Sequence, residues 1–266
     1  MVKGLYTAYT GLVNQQNRLD VLTNNLANSA TNGYKKEGTT SQAFADTLAI
    51  KIKDTSDYSL AKKLGNISLG VKIGENYTDY DQGSFRVTDN VYDIALDGDG
   101  FFAISFTNKN GETSVKYTRD GAFTVNKEGY LVTKDGDFVL NQAAANAGNP
   151  GENGYIRVDP NTELVIDELG YLYQNGTQIG QLGVVDVVDY DYLQKYGENM
   201  YELVEGGQLQ EADVKVVQGS LEMSNVNVVS EMVEMITISR AFESNQKIIQ
   251  TIDETLEKAV NNIGSV

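Results

Sequence analysis

From Val228 onward an apolar residue returns at every seventh position: Val228, Met235, Phe242, Ile249, Leu256 and Ile263. A second row lies three residues further on, at Ile238, Asn245, Ile252 and Ala259. A 3.5-residue repeat sustained over five heptads predicts one coiled-coil helix, roughly 50 Å long at 1.5 Å per residue. Asn225 or Asn227 can cap its start and Gly264 can stop it. Glu243 with Lys247, and Glu254 with Lys258, put acid before base four residues apart, the favourable order on an exposed face. The amino-terminal segment repeats the pattern with Leu5, Leu12, Leu19 and Leu26, while Ala8 and Leu22 fill part of the second row and Asn32-Gly33 supplies a turn to end it. A seam this narrow cannot be buried by one helix. The reading therefore pairs the termini, 1–34 with 225–266, as one helical coiled-coil domain and treats the middle as an insertion.

Residues 35–75 interrupt both helical rows. Phe44, Leu48 and Ile52 are spaced for a short helix, but the surrounding Ser, Thr, Asn and Gly favour an extended or irregular linker. From about Val71 the period drops to two. Short strands are predicted at 84–88, 92–96, 101–106, 114–118, 122–125 and 130–133, and again at 155–158, 164–166, 171–173 and 183–188. Asp97-Gly98, Asp99-Gly100, Asn110-Gly111, Asp120-Gly121, Asp135-Gly136 and Asn175-Gly176 supply turns between them. Residues 143–154, rich in Ala, Asn and Gly, read as a loop. The fold class is α+β: long terminal helices forming a coiled-coil unit, with an inserted antiparallel all-β domain over 76–224.

Composition narrows the chemistry. The 266 residues include no Cys and no His. This removes disulfides, thiol nucleophiles, histidine-based triads and His- or Cys-ligated zinc. The net charge is −16, of which residues 1–34 contribute +1 and 226–266 contribute −3, so the middle carries −14. That balance argues against nucleic acid as a partner. No apolar run is long enough to span a membrane, and MVKGLYTAYTGL lacks the apolar core of a cleaved signal peptide. Taken alone, these features describe a soluble cytoplasmic protein. Asp97-Gly98-Asp99-Gly100 resembles the start of a calcium loop, but the twelfth position is Asn108 where a bidentate acid is needed, so paired turns are the better account. Asp186, Asp189 and Asp191 could supply a carboxylate pair for glycoside hydrolysis, yet no spacing sets two of them across a cleft. No catalytic residue, metal ligand or cofactor is assigned.

Longer motifs carry a resemblance. Thr10-Gly11-Leu12-Val13-Asn14-Gln15-Gln16 is followed by Leu19-Asp20-Val21-Leu22-Thr23-Asn24-Asn25-Leu26-Ala27-Asn28 and by Thr31-Asn32-Gly33-Tyr34-Lys35. Near the other end stand Gln218-Gly219-Ser220-Leu221-Glu222, Ser224-Asn225-Val226, Glu231-Met232-Val233 and Arg240-Ala241-Phe242-Glu243-Ser244-Asn245. Between them lie Gln82-Gly83-Ser84-Phe85, Asp97-Gly98-Asp99-Gly100-Phe101-Phe102, Tyr117-Thr118-Arg119-Asp120-Gly121 and Gly197-Glu198-Asn199-Met200-Tyr201. In this order the motifs resemble the bacterial flagellar rod and hook family over nearly the whole chain. Departures are Asn90-Val91-Tyr92-Asp93, where relatives often carry Asn-Pro-Leu-Asp, and the region 141–180.

The resemblance implies an axial building block of the flagellum, with paired terminal helices lining an inner tube and β domains outside it. It implies export by the flagellar type III apparatus without a cleaved signal peptide, which replaces the cytoplasmic expectation. The implied partners are copies of the chain in a helical homopolymer, other flagellar rod and hook proteins, and the export apparatus, with no membrane insertion. Length and the segment 35–75 fit the distal rod position of the basal body, ahead of the other single-β-domain rod protein and of the longer hook subunit. An assembly-associated enzyme that cuts peptidoglycan is the reading from a different class. The expected assembly seam is Leu5, Leu12, Leu19, Leu26, Val228, Met235, Phe242, Ile249, Ile252, Leu256 and Ile263. The family-motif residues are Thr10, Gly11, Gln15, Gln16, Asn24, Asn25, Leu26, Ala27, Asn28, Gly33, Gln218, Gly219, Ser224, Asn225 and Val226.

Overall fold

A computed structural model describes residues 2–51, 62–148, 151–197 and 199–263, with side chains described except at 2, 47–51, 62–67, 152, 262 and 263. Its helices are α1 (Val2–Ala27), the six-residue α2 (Gln142–Ala147) and α3 (Val228–Ile263). The chain forms two compact units. One comprises Met1–Ala27, Lys36–Asp79 and Asn227–Val266; the other comprises Asn28–Lys35 and Tyr80–Val226.

In the first unit α1 and α3 pack together, and α1 also meets two strands, β1 (Glu37–Ala43) and β4 (Val71–Thr78). These strands pair antiparallel, with Glu37 opposite Thr78 and Ala43 opposite Val71. Between them β2 (Thr47–Lys51) pairs antiparallel with β3 (Lys62–Ile67). The expected linker over 35–75 is therefore largely strand where it is described, and the short helix through Phe44 and Leu48 is absent there; Ile52 lies outside the described residues. The reason is chemical. β1 reads EGTTSQA with its last four side chains exposed, so the backbone ladder to β4 holds it and no apolar alternation announces it.

The helix boundaries also differ from expectation. α1 stops at Ala27, five residues before Asn32. There the Thr31 N–H donates to the Asn28 carbonyl at 3.1 Å, and the chain leaves the helix. At the start of α3 the cap is Asn227, whose Oδ1 accepts from the N–H groups of Val229 and Ser230 at 3.1 and 3.2 Å. Asn225 is occupied elsewhere, and Gly264 lies outside the described residues.

The second unit is built on antiparallel pairs. Its nine-stranded sheet runs 193–197, 200–203, 113–118, 101–107, 138–139, 131–132, 124–125, with 184–187 bridging 101–107 and 209–211. Phe101–Thr107 lies at its centre. Phe101 and Ala103 join one apolar cluster with Tyr117, Val185 and Tyr201, whereas Phe102 joins the other with Ile94, Leu131 and Leu172. Burial on both faces explains why this strand is continuously apolar. The hairpin of Tyr171–Gln174 with Thr177–Gln181 turns on Asn175-Gly176, both at positive φ (50° and 73°), as a two-residue turn requires. Residues 155–158 make isolated bridges only, and the loop expected at 143–154 contains most of α2, capped by Asn141 and Gly148. Asp97 and Gly98 end the strand Ile94–Gly98, and only Asp99-Gly100 lies between it and Phe101–Thr107, so the expected pair of turns is a single two-residue connection.

Candidate assembly surface

The helices run antiparallel, and their closest approaches fix the register. A Cβ on Gly4 would meet Ile252 at 3.8 Å, one on Gly11 would meet Asn245 at 3.0 Å, and Asn25 donates to Glu231 at 3.2 Å. Moving seven residues along α1 thus moves seven back along α3, as two matched heptads demand. Of the expected seam, Leu5, Leu12, Leu19 and Leu26 on α1, and Met235, Phe242, Ile249, Ile252 and Leu256 on α3, are half-buried. The deepest apolar positions belong to the second rows: Ala8, Leu22 and Ile238. Val228 is exposed in the first turn, and the Ile263 side chain lies outside the described residues. Gly11 allows close approach at Asn245, a polar residue on the seam that disfavours slipped registers.

One seam position carries a charge. Glu231, fully buried, stands seven residues before Ile238 in the same row. Its carboxylate pairs with Lys36 Nζ at 2.6 Å and accepts from Asn25 Nδ2. Asn25 also donates to the Glu37 carbonyl at 2.8 Å and accepts from the Glu37 N–H at 3.0 Å, imitating a neighbouring strand. The bond to Glu231 holds the Lys36 ammonium above its ordinary pKa. This polar knot joins α1, α3 and the start of β1. Lys36, Glu37 and Glu231 were missed as site residues, although an acid on a heptad seam was a readable sign that a cation must be near.

The second unit has a knot of its own. Glu222 accepts from Lys35 at 2.7 Å, Arg119 at 3.2 Å and the Gly83 N–H at 3.0 Å, with the side chains of Glu222 and Lys35 each 1% exposed. Gly33 lies beside it at φ 64°, where a Cβ would stand 2.5 Å from the Arg119 carbonyl carbon, and its N–H donates to the Glu222 carbonyl at 2.8 Å. Asn225 donates from Nδ2 to the Asp81 carbonyl and from its N–H to the Tyr34 carbonyl. Gln218 ties Val91, Leu164 and Ile166 through its amide, and Gly219 turns the chain at φ 74°. Ser224 and Val226 are buried, and Asn28 accepts from the Thr31 hydroxyl. The family-motif residues are thus divided. Asn25 and Gly33 hold each unit internally, as does Thr10 through its bond to the Thr7 carbonyl, whereas Gln16, Asn24 and Ala27 are exposed.

Apolar side chains also remain exposed on both helices. Val229, Met232, Val233 and Ile236 form an exposed stripe on α3 at helical spacing, and Tyr6, Tyr9 and Val13 form another on α1. Val229 and Val233 border an open groove of about 550 Å³ between the helices, which Gln15, Arg18, Ile238 and Ala241 also line. Arg18 and Glu234 pair across it at 2.8 Å. Of the carboxylates considered as catalytic, Asp186 accepts from Tyr190 and Gln210, and Asp189 caps a short turn by accepting from the Asp191 N–H. Among the described residues, no helix is long and apolar enough to cross a membrane.

Comparison with known proteins agrees in order and extent. Residues 5–35 match the family model "Flagella basal body rod protein", 95–187 match "Flagellar hook protein FlgE/F/G D1 domain", and 217–263 match "Flagellar basal body rod FlgEFG protein C-terminal". The chain is 34% identical to the flagellar basal-body rod protein FlgG of Bacillus subtilis, covering 98% of this chain and 99% of that one. It is 31% identical to the flagellar hook-basal body complex protein FlhO of the same organism, over the full length of both. It is 32% identical to the flagellar basal-body rod protein FlgF of Caulobacter vibrioides, again over both full lengths.

Proposed function

Because the chain belongs to the flagellar basal-body rod family, we propose that it is a structural subunit of the basal-body rod, of the distal type, which polymerises with its own kind and carries torque along the axis. It is a structural protein and not an enzyme. The observation that carries self-assembly is the two-sided helix pair. One side of α3 is spent on α1, and the other keeps Val229, Met232, Val233 and Ile236 in water. An apolar stripe of this kind marks an interaction surface, and a subunit repeated along an axis can cover it with its neighbour. Long helices packed without large voids resist bending, which torque transmission requires. The assembly seam proposed for the rod therefore includes the exposed stripe as well as the heptad rows.

Other rod and hook proteins are the proposed end-neighbours, and the flagellar export apparatus the proposed route out of the cell. Labelled antibodies on purified basal bodies test the reading. Label is expected on the axial structure, with the chain retained inside cells that lack a working export apparatus. Basal bodies that carry no label would refute it.

A further inference from the structure

We infer that Asn175 is a site of spontaneous covalent modification, at which its side-chain amide is lost through attack by the backbone nitrogen of Gly176. The chemistry favours Asn followed by Gly, because glycine has no side chain to hinder the approach of its nitrogen. Four such pairs occur in the chain: Asn32-Gly33, Asn110-Gly111, Asn153-Gly154 and Asn175-Gly176. The fold separates the last from the other three.

The glycine nitrogen is the attacking group, so an N–H already held by a carbonyl must first be released. The Gly33 N–H donates to the Glu222 carbonyl at 2.8 Å, that of Gly111 to the Asn108 carbonyl at 3.0 Å, and that of Gly154 to the Gly151 carbonyl at 2.8 Å. Asn32 is further tied by accepting from Arg86, and the turn at Asn110 is stiffened by Asn108 Oδ1, which accepts from the Asn110 and Glu112 N–H groups. At the fourth pair neither the Gly176 N–H nor the Asn175 side chain has a hydrogen-bond partner among the described residues. Both residues are exposed, and a Cβ on Gly176 would meet nothing within 4 Å. The turn must open before the nitrogen reaches Asn175 Cγ. It lies at the tip of a hairpin whose second strand, Thr177–Gln181, is the edge of its three-stranded sheet. Opening therefore releases only the pair of Gln174 with Thr177 at the end of the ladder.

The reaction needs only base and water. Once base removes its proton, the Gly176 nitrogen forms a bond to Asn175 Cγ, and the side-chain nitrogen leaves with a proton as ammonia. Water then adds to one carbonyl of the resulting cyclic succinimide and opens it. One opening gives aspartate; the other gives isoaspartate, in which the main chain runs through the former side chain. Either product adds a negative charge to a chain that already carries −16. Isoaspartate also lengthens the backbone by one carbon, which a two-residue turn cannot hold without breaking its match to the strands.

The test compares the full-length folded chain with the same chain in denaturant, both held at mildly alkaline pH. Peptide mapping by mass spectrometry follows the amide-to-acid conversion at each Asn. In denaturant the four pairs should convert at comparable rates. In the folded chain Asn175 should convert faster than Asn32, Asn110 and Asn153 by about fivefold or more, the factor for first breaking one backbone hydrogen bond. Any one of those three converting as fast as Asn175 in the folded chain would overturn the inference. Asn175→Gln, whose attack would have to close a larger and less favoured ring, should remove the first acidic species seen on isoelectric focusing of the folded chain. Persistence of that species at the same rate would also overturn it.

Discussion

Replacing Glu222 by Gln puts the charge balance of the second unit to a quantitative test. The Glu222 carboxylate is the anion for both Lys35 and Arg119, whose side chains are 1% and 2% exposed. Gln keeps the shape and most of the hydrogen-bonding capacity but removes the negative charge from both buried contacts. Removing one partner of a buried pair typically costs about 3–5 kcal/mol. Here one anion serves two cations, which favours the upper half of that range. The Asp81 and Gly98 carbonyls still accept from Lys35 and Arg119, which keeps the penalty from rising beyond it. At about 2–4 °C per kcal/mol for a unit of this size, a loss of about 4–5 kcal/mol lowers the melting temperature by about 8–20 °C. Thermal unfolding of the full chain, followed by circular dichroism, measures the shift. Hydrogen exchange at Ser220–Glu222 assigns it to this unit. The control is Glu168→Gln, whose carboxylate sits 3.7 Å from Lys215 with both side chains well exposed. Such a surface pair contributes about 0–1 kcal/mol. Equal shifts from the two changes would show that Glu222 is not the neutralising group described above.

Ile249→Asp places a carboxylate on the half-buried seam and should weaken the helix pairing by about 1–3 kcal/mol, whereas Lys247→Asp on the exposed face loses about 0.5 kcal/mol at most. Motility should be lost with the first and kept with the second; the same phenotype from both would contradict the seam. Gly33→Ala combines a left-handed backbone with a clash against Arg119 and should cost at least about 2 kcal/mol, against about 1 kcal/mol for Gly136→Ala, where the φ is positive but a Cβ meets open space. Comparable denaturant midpoints for the two variants would dismiss the steric argument. Burial raises the phenol pKa of Tyr117, and burial followed by the hydrogen bond to Asp186 raises that of Tyr190. Above about pH 10 the unfolded chain therefore releases phenolic protons that the native chain retains, so stability falls with rising pH. Tyrosinate absorbance from these two residues should appear only with unfolding, and their early titration in the folded protein would reverse the sign.

The helices were legible because their information is local. A side chain's face on a helix follows from its position in a period of seven, so Leu5 to Leu26 and Met235 to Leu256 could be aligned before any contact was known. Asn175-Gly176 was equally local, since positive φ at two consecutive residues is a property of the dipeptide. The strand Glu37–Ala43 was not legible, because its polar side chains gain little from burial and its ladder to Val71–Thr78 exists only once both are brought together. The same holds for Lys35 and Lys36. They are adjacent and chemically alike, yet Lys35 pairs with Glu222 in one unit and Lys36 with Glu231 in the other, partners nearly two hundred residues away. Periodicity shows which face of an element turns inward. The partner that a buried charge will find there is set by tertiary packing, since its field acts through space over a few ångströms and leaves no mark on its neighbours in the chain.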